Sequence, residues 1–189
     1  MDRVSFILKN ANGKILDVGF IACSLHERVK EKFPKKDIFG LDIEPVPKNP
    51  NYKQGSAEEI PFESDQFDSV IAGELIEHLE HPDRFVKEAC RVLKKGGIVI
   101  LTTPNRESLI NRLTRNYHTA IHLSLFNRKE LVGLLEKSGF ELKSFFCLPF
   151  TQESSPGSSQ KWFYPVRNLI HVFVPQSLQE EMVVLAQKK

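Results

Sequence analysis

Cysteine is scarce in this chain. Among 189 residues there are three, Cys23, Cys90 and Cys147, odd in number, far apart and never in a CxxC pair. That pattern excludes a disulfide framework, argues against a cysteine-built zinc site and fits reduced thiols in a cytosol. Long apolar runs are missing too. No stretch approaches the ~20 residues of a membrane span, and the first residues lack the form of a signal peptide. Neither sign of charge dominates: 26 Lys and Arg against 24 Asp and Glu leave a net charge of +2, too mild to argue for nucleic acid. The expectation is a soluble, cytoplasmic chain, 41% hydrophobic and 26% charged. A domain of this length can bury roughly 70% of its unfolded surface, so it needs no staples.

What is present is alternation of strand and helix signals. "KILDV" (14–18) reads as a short buried strand, followed by a helix over 24–33 with Ser24 as its cap, Glu27 completing a capping box, and Leu25, Val29 and Phe33 on one stripe. "DIFGLDI" (37–43) and "FDSVIAG" (67–73) read as strands. "PDRFVKEACRVLKKGG" reads as a helix closed by glycine, "IVILTTP" (98–104) as the next strand. Asn127 and Glu130 form a second capping box, Phe126 can staple onto Leu131, and Gly139 closes that helix. "ELKSFFCL" (141–148) and "EEMVVLAQ" (180–187) are late strands. Between them lie a polar stretch (151–160), the aromatic cluster Trp162–Phe163–Tyr164, which we expect to pack, and a helix near 166–174. Such alternation predicts a doubly wound, mostly parallel α/β sheet, with ligands beyond the carboxyl ends of the strands at the topological switch point.

Glycine is short in one particular place. The first strand ends at Asp17 and Gly19, and the turn that follows is Phe20, Ile21, Ala22 and Cys23. A dinucleotide fingerprint laid on Gly19 needs glycine at Ile21 and Ser24 and finds neither, which weighs against a nicotinamide site. Asp42 ends the second strand, where a carboxylate can accept hydrogen bonds from both hydroxyls of a ribose.

Three further stretches, "GSAEEIPFESDQFDSVIAGELIEHL", "RVLKKGGIVILTTPN" and "HLSLFNRKELVGLLEKSGF", in this order resemble the class I S-adenosylmethionine-dependent methyltransferases, nearest the branch with small-molecule and quinone O-methyltransferases. The resemblance covers roughly 13–148. It implies a Rossmann-like sheet of seven strands, the last antiparallel and supplied by 180–188, within a single domain over 1–189. Residues 105–125 and 149–178 would be insertions that bind substrate, form a lid or pack. It also implies a contact set. Asp17 and Gly19 match the first motif, against the methionine part of S-adenosylmethionine; Asp42 matches the ribose acid. Ser56 and Ala57 match a pair at the adenine edge, with Ser56 in place of the usual aspartate. Ala72 and Gly73 match the strand end whose carbonyls meet the methionine ammonium. The departure is DVGFIAC for DVGxGxG: a β-branched Ile21 at positive φ would be strained, so the turn must take another path or Ile21 must wall off part of the pocket.

In "ELIEH" (74–78), a helix would put Glu74, Glu77 and His78 on one face, a donor set suited to Mg²⁺, Mn²⁺ or Zn²⁺. The spacing is similar to ExxEH in metal-dependent methyltransferases, including enzymes that modify the terminal ribose of small RNAs. His122 stands where their later histidine falls, with His118 as a nearby alternative. In metal-free relatives the same histidine lines the substrate pocket, and His78 or His122 could then act as the base. His26 and His81 are expected on solvated surfaces. A helix over 105–122 would offer Arg106, Arg112 and Arg115 to an anionic acceptor or simply to solvent. With only about a dozen residues before the first strand, the acceptor pocket is expected to be open or completed by a second copy of the chain in a homodimer. The leading expectation is methyl transfer to a small molecule at oxygen. The rivals are a non-catalytic methyltransferase-fold subunit and, ranked last, a metal-dependent RNA ribose methyltransferase.

Overall fold

A computed structural model describes residues 2–21, 23–114, 122–149 and 173–189. Seven strands form one sheet in the order β3-β2-β1-β4-β5-β7-β6. They are β1 (Ile15–Val18), β2 (Ile38–Asp42), β3 (Tyr52–Gln54), β4 (Phe67–Gly73), β5 (Leu93–Pro104), β6 (Phe140–Leu148) and β7 (Glu181–Lys188). Only β7 runs against the rest, pairing antiparallel with both β5 and β6. The order reverses between β1 and β4, so the switch point lies between Val18 and its partner Ala72.

Helices cover both faces, and the strands' side chains alternate between them. On one face α1 (Arg3–Asn10) and α2 (Ser24–Lys32) bury Val4, Phe6, Ile7, Leu25 and Val29 against Ile15, Ile38, Ile71, Ile100 and Val183. On the other, α3 (Pro82–Val92) and α5 (Arg128–Lys137) bury Phe85, Ala89, Leu131 and Leu135 against Leu16, Val70, Leu101 and Val184. A short α4 (Leu109–Thr114) follows β5.

Several local expectations change. The helix α1 was not foreseen: Asp2 caps it, accepting from the Ser5 N–H at 2.8 Å, and Phe6 meets Phe146 edge-on at 4.8 Å. Cys23, not Ser24, caps α2, with no side-chain hydrogen bond, so no capping box forms there. The one at α5 does form, Glu130 N–H to Asn127 Oδ1 at 2.9 Å and Asn127 N–H to Glu130 Oε2 at 3.0 Å. α3 stops at Val92, earlier than the glycines suggested. Gly96 (φ +77°) and Gly97 instead turn the chain inside β5, where a Cβ on Gly97 would meet the Lys94 carbonyl at 2.9 Å. The helix over 105–122 is seen only as α4. His118 and Arg115, the aromatic cluster and nearly all of the helix near 166–174 lie outside the described residues.

Candidate active site

The glycine-poor turn takes another path. Gly19 carries the left-handed residue, φ +77°, and donates its N–H to the Leu41 carbonyl at 2.8 Å. Among the described residues the only non-glycines with positive φ are Asp65 and Glu74, so Ile21 carries no such strain. The Phe20 ring folds under α2 onto β2, where a Cβ on Gly40 would lie 2.6 Å from it. The bare Gly40 leaves the room that the Phe20 ring fills. Ile21 then donates its N–H to Asp42 Oδ2 at 2.7 Å, and Glu44 donates its own to Oδ1 at 3.0 Å. Each carboxylate oxygen has two lone-pair sites, so both keep capacity for a further donor.

Asp17 is buried, and its Oδ2 lies 2.8 Å from Nδ1 of His26. His26, expected in solvent, is 3% exposed, because helical spacing on α2 turns it inward onto β1 and β3. His81 is exposed as expected. Burial pushes the Asp17 carboxyl above its ordinary value, with His26 pulling the other way.

Around the same strand ends, Gly55 donates its N–H to the Asp42 carbonyl at 2.8 Å, which sets Ser56 and Ala57 beside Asp42. Ser56 is exposed and its Oγ accepts from the Glu58 N–H at 3.1 Å; Ala57 is buried. Ile43, not singled out from the sequence, is 72% exposed directly after Asp42. Its only signal was an apolar residue following the strand-end acid. Ala72 is buried and Gly73 pairs with Thr102 of β5. Arg3 of α1 was also missed, since no helix was expected there. Its Nη1 lies 2.8 Å from Glu181 Oε1 and 3.5 Å from Glu74 Oε1.

The "ELIEH" stretch is not an α-helix. Glu74 has φ +52°, and a single 3-10 turn (Ile76–His78) follows. The two acids therefore part. Glu74 turns toward Arg3, and burial first, then the Glu77 and Glu181 carboxylates, hold it well above the usual carboxylate range against the pull of Arg3. Glu77 is fully buried, and its Oε2 accepts from Thr103 Oγ1 at 2.9 Å. Thr102 and Thr103, as neighbours on a strand, face opposite sides of the sheet. The cluster of donor atoms comprises Glu77, His78 and His122 and does not include Glu74.

What assembles is Glu77, His78 and His122. The Glu77 carbonyl accepts from the N–H groups of Leu123 at 2.8 Å and Ser124 at 3.0 Å, drawing the segment after His122 against the 3-10 turn. The two imidazoles lie 5.0 Å apart, and one donor atom from each of the three residues falls within 4.8 Å of the others. Glu77 Oε1 is buried and lacks a hydrogen-bond partner among the described residues, with His78 Nε2 at 3.9 Å. Burial raises the Glu77 carboxyl, and its hydrogen bonds lower it in turn. One carboxylate and two imidazoles suit a borderline divalent cation. His122 opens onto a groove of about 640 Å³ lined by Leu123, Leu125, Phe126 and Leu134. Arg106 lies on the rim of this groove, paired to Glu130 at 2.6 Å.

Comparison with known proteins places the fold in a family. A family model described as "Methyltransferase domain" matches residues 1–144. The "Ubiquinone biosynthesis O-methyltransferase" of Aliivibrio fischeri is 25% identical, over 83% of this chain and 79% of its own. A Mycolicibacterium smegmatis protein is 30% identical over 61% of this chain, and a Methanocaldococcus jannaschii protein 31% over 44%. The chain spans about two fifths of each, 39% and 43%. Among solved structures, an Archaeoglobus fulgidus SAM-dependent methyltransferase shares the fold at a TM-score of 0.68 and 21% identity, covering 98% of this chain and 90% of its own. One from Mesorhizobium loti does so at 0.69 and 15%, covering 98% and 95%. On a match that spans residues 1–144, together with the strand order just described, this chain belongs to the methyltransferase-domain family.

Proposed function

We propose that the chain transfers a methyl group from S-adenosylmethionine to an oxygen of a small-molecule acceptor. The observation that carries this reading is the meeting of Asp17, Gly19, Asp42, Ser56, Ala57, Ala72 and Gly73 at one rim of the sheet, with Glu77, His78 and His122 beside it. Asp42, already oriented by two backbone N–H groups, takes the ribose hydroxyls on its remaining lone pairs. Ile43 offers an apolar face to the adenine beside Ser56 and Ala57. Arg3 supplies a cation for the methionine carboxylate, and the Gly73 end of β4 receives the ammonium.

The sulfonium is a strong electrophile, so the protein's first task is alignment, and holding the acceptor in line with the breaking C–S bond supplies roughly 7–11 kcal/mol. The acceptor hydroxyl must also lose its proton. With no metal bound, His78 or His122 takes it as a base. Glu77, His78 and His122 would hold a divalent metal, which when bound acidifies a coordinated hydroxyl. The quinone-type relatives favour a small aromatic acceptor. Ribose methylation on RNA loses support, because Glu74 turns toward Arg3 and the net charge is only +2. A non-catalytic subunit is favoured by one feature, the bulky turn closed over Gly40.

Calorimetry with S-adenosylmethionine and S-adenosylhomocysteine, with and without Mn²⁺ or Zn²⁺, tests the reading. Micromolar binding of both is expected, followed by transfer of labelled methyl to catechol or hydroquinone oxygens. Absence of binding under every condition would leave the fold and remove the enzyme. Transfer to amines alone would overturn the choice of oxygen.

A further inference from the structure

Asp17, Gly40 and Tyr52 form one row across β1, β2 and β3. Above that row α2 lays His26, with Nδ1 2.8 Å from Asp17 Oδ2 and Nε2 2.8 Å from the Tyr52 hydroxyl. Phe20 roofs the chain, its ring centroid 4.5 Å from that of His26 and 4.8 Å from that of Tyr52. Asp17 and His26 are each 3% exposed, and Phe20 is 5% exposed. A carboxylate can only accept, and a neutral imidazole has one donor and one acceptor nitrogen. A neutral imidazole between an ionised Asp17 and the Tyr52 hydroxyl would have its bonds run one way: Tyr52 O–H to Nε2, and Nδ1–H to Asp17.

Nothing in the methyl-transfer reading uses His26 or Tyr52. Both pack on Phe20 and so brace, with side chains, the turn whose motif the family pattern writes with glycine. We propose that His26 is a positioning residue of the cofactor site, holding the Asp17 carboxylate in one orientation while Tyr52 fixes the imidazole tautomer. The relay joins β3, on the adenine side, to β1, on the methionine side, across the strand that carries Asp42. It makes no contact with the reacting atoms, so its effect is on cofactor affinity. The inference rests on the first turn being the cofactor site.

The test compares the full-length chain with Tyr52→Phe, His26→Asn and His26→Gln, by S-adenosylhomocysteine calorimetry, thermal unfolding and ¹⁵N NMR of the imidazoles. Tyr52→Phe keeps the ring against Phe20 and removes one proton donor. It is expected to weaken binding about 3–10-fold with the melting temperature nearly unchanged, and to shift His26 from the Nδ1–H tautomer toward a mixture. His26→Asn places an amide N–H where Nδ1–H stood, so it should remain within about threefold of Tyr52→Phe. His26→Gln loses the donor to Asp17 and should fall about 30-fold or more below wild type. Wild-type affinity in Tyr52→Phe and His26→Gln would overturn the proposal, as would equal losses in Asn and Gln variants that merely follow stability. If the wild type binds no cofactor, the first-turn reading fails as well, a result distinct from binding that ignores the relay.

Discussion

The two sides of the sheet's carboxyl edge are built differently. On the side of α1 and α2, the polar groups of the site are tied to other parts of the chain: Asp17 to His26, Asp42 to Ile21 and Glu44, Arg3 to Glu181. On the side of α3 and α5, Glu77 has, among the described residues, one side-chain hydrogen bond, from Thr103, and a buried oxygen left over, while His122 faces an open groove. The first side is preorganised through bonds between strands distant in sequence. The second is assembled from a 3-10 turn and a segment hung on the Glu77 carbonyl. On the proposed reading the first side holds the cofactor and the second the acceptor, and that difference teaches where substitutions will show as instability and where as lost turnover.

The largest effect expected is on the open side. His78→Ala should lower turnover about 10³-fold while S-adenosylhomocysteine affinity stays within about twofold, read by initial rates and calorimetry. Equal loss of both would erase the contrast between the two sides. On the tied side, Arg3→Met removes the 2.8 Å pair with Glu181, itself 1% exposed, and should cost about 3 kcal/mol in urea unfolding. Gly40→Ala drives a methyl into the Phe20 ring and should cost about 2 kcal/mol, most of it recovered when combined with Phe20→Leu in a double-mutant cycle. The smallest effect concerns Glu74. A carboxyl whose folded pKa is raised binds more protons folded than unfolded, so it costs stability as pH rises above the unfolded value of 4.5, and none well below it. Glu74→Gln should therefore raise the melting temperature by a few degrees at pH 7–8, with the gain vanishing near pH 4 in thermal scans.

The periodic parts of the fold could be read from residues. Leu25 and Val29 faced inward as their spacing required, and the Asn127–Glu130 box formed where its pattern stood. β3 escaped notice because three residues, Tyr52–Gln54, are too few to show alternation. α1 escaped because its cap, Asp2, lies one residue from the start of the chain. Strand-end residues such as Asp17 and Asp42 were legible because parallel topology gathers strand ends. Their partners were not: His26 meets Asp17 only through the docking of α2, which has no local signature. The separation of Glu74 from the other two has a related reason. A five-residue spacing argues for one face only if the backbone stays helical, and one residue at φ +52° was enough to separate it from Glu77.

Gly40 shows what room the Phe20 ring needs: the ring of a loop residue occupies, in the middle of a strand some twenty positions downstream, the space that a side chain at Gly40 would take. Loop and strand have become a matched pair, so the two positions should vary together among kindred chains: wherever Phe20 is replaced by something slight, the strand is released from its obligation to carry no side chain.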